Sequence, residues 1–76
     1  MSMEQFEQKK AFVQRELSRC IAAAYDGVSR LEFEYHEGGE ESVIIRFANG
    51  YIKTVNTTGD SLRAILMDVL RALAEV

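Results

Sequence analysis

Residues 41–56 decide the fold of this chain; they read Glu-Ser-Val-Ile-Ile-Arg-Phe-Ala-Asn-Gly-Tyr-Ile-Lys-Thr-Val-Asn. Apolar side chains recur on both sides of Asn49-Gly50. An Asn-Gly pair is the strongest short-range hairpin signal, because a type I′ turn needs positive φ at both central residues. The stretch therefore predicts two antiparallel strands, Glu41 to Ala48 and Tyr51 to Asn56, joined by a two-residue turn.

The turn length also predicts which residues share a face of this hairpin. A two-residue turn places Phe47 opposite Ile52 and Ile44 opposite Val55. The inner face of the hairpin then holds Val43, Ile45, Phe47, Ile52 and Thr54. We expect a small apolar group on the opposite, outer face, made of Ile44, Tyr51 and Val55.

A third strand is predicted upstream, from Arg30 to His36, where apolar and polar residues alternate. A three-residue loop, Gly38-Gly39-Glu40, sets Phe33 opposite Ile45 and keeps the apolar side chains on the inner face. The same register places Glu32 opposite Arg46 on the outer face, an opposite-charge pair that favours it.

Apolar residues recur at helical spacing near both ends of the chain. From Met3 to Tyr25 the apolar stripe is Phe6, Val13, Leu17, Cys20 and Ala24. Phe12 lies beside this stripe, as a flank of the core or as a contact for another molecule. The second helix is predicted to begin between Thr58 and Ser61 and to end near Ala74, after capping residues supplied by the segment 57–61. Its apolar residues are Leu62, Ile65, Leu66, Val69, Leu70 and Leu73.

These elements predict one α+β domain spanning residues 1–76, in the order α-β-β-β-α. The expected architecture has two layers, with a three-stranded antiparallel meander and both helices packed on one of its faces. A chain of 76 residues hides only about 60–65% of its unfolded surface. It therefore needs good packing or a partner subunit.

Few residues carry chemistry. The chain has one histidine, His36, and one cysteine, Cys20. We expect His36 to lie exposed in a hairpin and Cys20 to be a buried, inert thiol. A single cysteine forms no internal disulfide, which fits a reducing cytoplasm. No signal peptide or membrane-spanning run is visible. We expect no catalytic residue, no cofactor and no metal site.

The charge pattern argues against nucleic acid as the main partner. The order α-β-β-β-α is that of the double-stranded-RNA-binding domain, which needs clustered basic residues. Here residues 26–41 hold six acids against Arg30, including the acidic hairpin Glu37–Glu41. The alternative function is a nucleic-acid-associated module that uses the basic residues of the first helix, Lys9, Lys10, Arg15 and Arg19.

The segments Tyr51–Leu62 and Met67–Leu73 resemble small uncharacterised bacterial proteins of similar length, described as domains of unknown function. The resemblance implies an α+β fold. It carries over no catalytic or binding residue.

The sequence favours a small cytoplasmic protein-interaction module without catalytic activity, with a second copy of itself as one partner. The marginal size and the outer apolar group motivate this expectation. The predicted strand Tyr51 to Asn56 is also a sheet edge that can pair with another chain. The candidate interface residues are Ile44, Tyr51, Val55, Phe12 and Met67.

Overall fold

The computed structural model describes residues 1–75 and has the predicted element order, with helices at both ends and three strands between them. The strands are β1 (Val28–Tyr35), β2 (Glu41–Phe47) and β3 (Ile52–Asn56). They form an open antiparallel sheet in the order β1-β2-β3. The two-layer α+β prediction is confirmed.

The N-terminal helix consists of three consecutive segments. These are α1 (Met3–Ala11), a π-helical segment (Phe12–Leu17) and α2 (Ser18–Ala24). At its start, the Ser2 hydroxyl accepts a hydrogen bond from the Gln5 backbone N–H, and the Gln5 side chain accepts one from the Ser2 N–H. The helix therefore has the predicted extent, with an unforeseen irregularity at its centre.

The π-helical segment changes which side chains face the sheet. Each π turn closes over one more residue than an α turn, so the residues after it are rotated back by roughly 100°. Ser18 and Ile21 are buried as a result, while Cys20 is exposed. The prediction that Cys20 is a buried thiol was wrong, because it assumed an unbroken α-helical phase.

The hairpin between β1 and β2 has a three-residue loop, as predicted, but the loop is centred on Gly38. The His36 N–H donates to the Glu40 carbonyl at 2.8 Å, and Phe33 lies opposite Val43 instead of Ile45. A shift by two residues leaves every side chain on its predicted face. Phe33 therefore still points into the core.

The hairpin between β2 and β3 contradicts the predicted two-residue turn. Its loop is Ala48-Asn49-Gly50, closed by a hydrogen bond from the Phe47 N–H to the Tyr51 carbonyl at 2.9 Å, with Gly50 at φ 92°. A three-residue loop that ends on a left-handed residue is also satisfied by Asn-Gly.

This one-residue difference turns β3 over. Val55 lies opposite Val43 and packs against the core, so it does not face Ile44 as predicted. Ile52, Thr54 and Asn56 occupy the outer face instead. The observed register places a valine against the core where the predicted register placed Thr54.

Both helices pack on the same face of the sheet. The N-terminal helix lies against β1, and the C-terminal helix, α3 (Leu62–Ala74), lies against β3. Ser61 caps α3 by accepting a hydrogen bond from the Ala64 N–H at 3.2 Å. Within residues 1–75, no helix combines the length and the apolar character needed to cross a bilayer. The buried core comprises Val13, Leu17, Ile21, Val28, Leu31, Phe33, Val43, Ile45, Ile65, Val69, Ala72 and Leu73.

Side chains of the N-terminal helix close the free edge of β1. The Leu31 N–H donates to the buried Ser18 hydroxyl at 3.0 Å, and the Phe33 N–H donates to the Gln14 side-chain carbonyl at 3.2 Å. Both amides point away from β2. A strand edge covered in this way offers no N–H to another chain at these two positions.

We expect Ser18→Ala to lower the free energy of unfolding by about 1–2 kcal/mol, because it leaves the buried Leu31 N–H without an acceptor. Urea denaturation followed by circular dichroism measures the change. Ser29→Ala is the matched control, since Ser29 is an exposed residue at the irregularity in β1. Equal stabilities of the two variants would show that the edge bond contributes nothing.

Candidate functional site

The outward edge of β3 is the candidate functional site, and the β2–β3 ladder defines its geometry. Hydrogen bonds from Phe47 N–H to the Tyr51 carbonyl and from Thr57 N–H to the Glu41 carbonyl, both 2.9 Å, bracket the ladder. Backbone groups alternate in direction along an antiparallel strand. Lys53 and Val55 therefore bond towards β2, and the N–H and C=O groups of Ile52, Thr54 and Asn56 point away from the sheet.

This edge is open, in contrast to that of β1. In residues 1–75, no hydrogen bond joins the outward backbone groups of Ile52, Thr54 or Asn56 to another segment. The Asn56 side chain accepts a bond from the Thr58 N–H at 2.9 Å, and the outward backbone groups of Asn56 take no part in this contact. The sheet thus has one edge occupied by side chains and one that presents a row of free donors and acceptors.

A cleft of about 300 Å³ runs between this edge and α3. The charges in the cleft are balanced. Lys53 Nζ lies 3.7 Å from a Glu75 carboxylate oxygen, and Arg71 Nη1 lies 3.2 Å from Asp68 Oδ1. Its lining residues are Lys53, Thr54, Val55, Asn56, Asp68, Arg71, Ala72 and Glu75.

The outer face of the sheet is mainly an ion-paired surface. The Glu32 carboxylate accepts hydrogen bonds from Arg46 Nε at 2.8 Å and from Arg30 Nε at 3.1 Å. The bond from Arg46 is the main cause that lowers the pKa of Glu32. Ile44, in the middle of β2, is only 7% exposed, whereas Ile52 on β3 is 49% exposed. The exposed apolar surface on this face therefore lies at the open edge.

The structure does not bring the five predicted interface residues together. Ile44 and Val55 lie on opposite faces of the sheet, and Phe12 packs against the core as a flank. Tyr51 is exposed and lies beside an aromatic ring of β2, with the ring centroids 5.5 Å apart. Met67 is exposed on α3. Their role in an interface stays a prediction, and they do not form one surface.

The sequence did not identify Ile52, Thr54 and Asn56 as the residues of β3 whose side chains lie on the outer face and whose backbone groups point to the free edge. The missing signal was the length of the loop. When Ala48-Asn49-Gly50 is taken as a three-residue loop, the same three side chains fall on the outer face and their backbone groups fall at the edge.

The buried carboxylate of Glu41 holds the surroundings of the site together. Its Oε1 accepts Lys9 Nζ at 2.6 Å, and its Oε2 accepts the Gly59 N–H at 3.0 Å. Glu41 is 5% exposed. These bonds connect the N-terminal helix, β2 and the loop that leads from β3 into α3.

Of the four basic residues assigned to the alternative nucleic-acid function, one is held in an ion pair and three are exposed. Lys9 is nearly buried in its ion pair with Glu41. The Lys10 ammonium lies over the Phe6 ring, 5.8 Å from its centroid. Arg15 and Arg19 are exposed.

The carboxyl groups of Asp60 and Asp68 lie close together near Lys9 and Glu41, and both residues are partly buried. Burial is the largest cause that raises the pKa of Asp60 to about 6, and a hydrogen bond and charge from Asp68 add to it. Lys9 acts in the opposite direction. One oxygen of Asp60 is buried without a hydrogen-bond partner in the described part of the chain. The Asp60 carboxyl therefore keeps its proton to a higher pH than an ordinary aspartate does.

Asp60 borders a larger cleft of about 550 Å³, which Lys9 and Glu41 also line. His36, the single histidine of the chain, lies exposed in the β1–β2 hairpin, with its Nε2 3.4 Å from Glu34 Oε1. Among residues 1–75, no cluster of three His, Cys, Asp or Glu side chains is arranged to hold a metal ion. The charged side chains that line this cleft are the Lys9–Glu41 ion pair and the partly buried Asp60 carboxyl.

Comparisons with known proteins add no relative. No protein-family model matches the chain, and neither the curated proteins nor the solved structures gave a match. The resemblance of residues 51–62 and 67–73 to small bacterial proteins stays a prediction.

We expect Glu41→Gln to lower the free energy of unfolding by about 2–3 kcal/mol, because it leaves the Lys9 ammonium nearly buried without a counter-charge. The new amide still offers an oxygen to the Gly59 N–H. Glu40→Gln is the matched control, because it removes the same charge at an exposed residue. Urea denaturation at pH 7 compares the two; similar losses would mean that the ion pair is not a structural contact.

We expect Asp60→Asn to stabilise the fold at pH 7. A carboxyl whose pKa is raised in the folded state favours folding below its ordinary pKa of 3.8 and loses that contribution as the pH rises through about 6. An amide does not ionise, so the variant gains about 2 kcal/mol at pH 7 and close to nothing near pH 3.

Denaturation at both pH values measures this gain. The control is Asp26→Asn, which removes a negative charge at an exposed residue. A gain that is the same at both pH values would contradict the raised pKa.

Proposed function

We propose that this protein is a protein-interaction module that binds its partner by adding a strand to β3. The observation that carries the proposal is the difference between the two sheet edges. Ser18 and Gln14 occupy the outward amides of β1, whereas the outward groups of β3 are free in the described chain. The closed edge leaves one side of the sheet for strand addition.

The free groups have the spacing that an extended chain needs. Outward residues recur every second position, about 6.8 Å apart along the strand, and an extended segment presents its own N–H and C=O groups at the same interval. Main-chain hydrogen bonds of this kind supply affinity, and the side chains beside them supply specificity.

The surroundings of β3 provide surfaces for both faces of an added strand. On the helix side, the cleft next to α3 offers Asp68, Arg71 and Glu75. On the outer side, half-exposed Ile52 offers an apolar contact. Alternate side chains of the partner would meet these two surfaces in turn.

The proposal assigns no catalytic step and no cofactor to the chain. A cytoplasmic location is part of it, supported by the single cysteine, which is exposed and would remain a free thiol in a reducing compartment. A bacterial source rests on the resemblance of the C-terminal third alone.

Strand addition is testable with a synthetic strand. We expect a capped peptide of roughly seven residues, with alternating Thr and Val between terminal Lys residues, to shift the amide NMR signals of Ile52, Thr54 and Asn56 and to slow their hydrogen exchange. The amides of Leu31 and Phe33 should not respond, because their edge is closed. Shifts confined to other surfaces would sink the proposal.

Two variants at one position provide the control. Thr54→Pro removes an outward N–H at an edge position where proline is tolerated, and we expect it to abolish the response to the peptide. Thr54→Val keeps the N–H and should bind as the unmodified protein does. Circular dichroism establishes that both variants are folded.

A further inference from the structure

We infer that the strand received by β3 is β3 of a second copy of this chain, placed antiparallel about a two-fold axis with Thr54 opposite Thr54 of the second copy. The inference rests on the proposed function of the same edge. It converts the three-stranded sheet into a continuous six-stranded sheet. A two-fold interface of this kind uses the same patch on both copies, so one free edge suffices.

The direction of the backbone groups restricts the possible registers. Hydrogen-bonded pairs form only between residues whose groups point outward, which are Ile52, Thr54 and Asn56. Centring the axis on Thr54 pairs it with its own copy and pairs Ile52 with Asn56 of the second copy. This register overlaps all five residues of β3 and makes about six main-chain hydrogen bonds.

Charge supports the same register. When the axis lies on Thr54, Lys53 faces Val55 of the second copy. Sliding one strand by two residues in one direction sets Lys53 against Lys53, a like-charge pair that destabilises a sheet. Sliding it in the other direction overlaps only residues 54–56. Full overlap and charge therefore select one arrangement.

The cleft beside β3 is complementary to its own copy. Lys53 and Val55 share the helix side of the sheet, so the Lys53 ammonium of the second copy enters the cleft that carries Asp68 and Glu75. Each cleft has two cationic and two anionic residues. Two such surfaces meet without net repulsion.

The size of the edge predicts the strength of the dimer. Pairing of two five-residue strands buries less than roughly 1,000 Å², the lower range of specific interfaces. We therefore expect a reversible dimer with a dissociation constant on the order of tens to hundreds of micromolar.

Sedimentation equilibrium over roughly 10 µM to 1 mM tests the association. We expect the unmodified protein and Thr54→Val to move from monomer to dimer over this range, and folded Thr54→Pro to stay monomeric. A dimer that persists in Thr54→Pro, or an unmodified protein that stays monomeric throughout, would overturn the inference.

Cysteine crosslinking tests the register in protein that keeps its edge N–H groups. In a Cys20→Ser background, Thr54→Cys places the two sulfur-bearing residues directly opposite, about 5.5 Å apart at Cα, within disulfide reach. We expect it to crosslink between copies under oxidised glutathione, and Lys53→Cys to crosslink far more slowly. The reverse order would establish the slipped register and contradict the one inferred.

The peptide titration separates this inference from the function on which it rests. A protein that protects Ile52, Thr54 and Asn56 on adding the synthetic strand, yet remains monomeric at all concentrations, binds strands but not its own copy. A protein that shows neither response contradicts both.

Discussion

The carboxylate of Glu41 fixes the relative positions of the three parts of the fold. It is buried at the start of β2, binds Lys9 of the N-terminal helix, and accepts the Gly59 N–H of the segment that leads into α3. A buried carboxylate requires such partners because its desolvation is costly. The position of α3 beside β3, and with it the cleft along the open edge, depends on this contact.

The π-helical segment of the N-terminal helix explains why the two sheet edges differ. Gln14 lies within it and Ser18 directly follows it, and both accept hydrogen bonds from β1. An unbroken α-helix would turn a different set of side chains towards the strand. One extra residue in a helical turn thus closes the β1 edge and leaves β3 as the edge available for strand addition.

Particular residues show how far prediction from the sequence could go. The sequence predicted correctly which side chains of β1 face the core, even though the predicted register with β2 was off by two residues. Side-chain direction repeats every second residue, so such a shift leaves the faces unchanged. The faces of β3 were wrong, because Asn49-Gly50 satisfies both a two-residue and a three-residue loop. The burial of Cys20 was wrong for a similar reason, since helical phase cannot be read across a π turn.

The residues alone determined the element order, the α+β class, the ends of both helices to within a few positions, and β3 as a sheet edge. These features depend on local periodicity and on turn and capping residues, which are encoded within short segments. Tertiary structure decided the direction of Val55 and Cys20, the closure of β1 by Ser18 and Gln14, and the burial of Glu41 against Lys9. Each of these depends on a contact between distant segments, and shifting a strand or helix by one residue costs little locally until the core is packed.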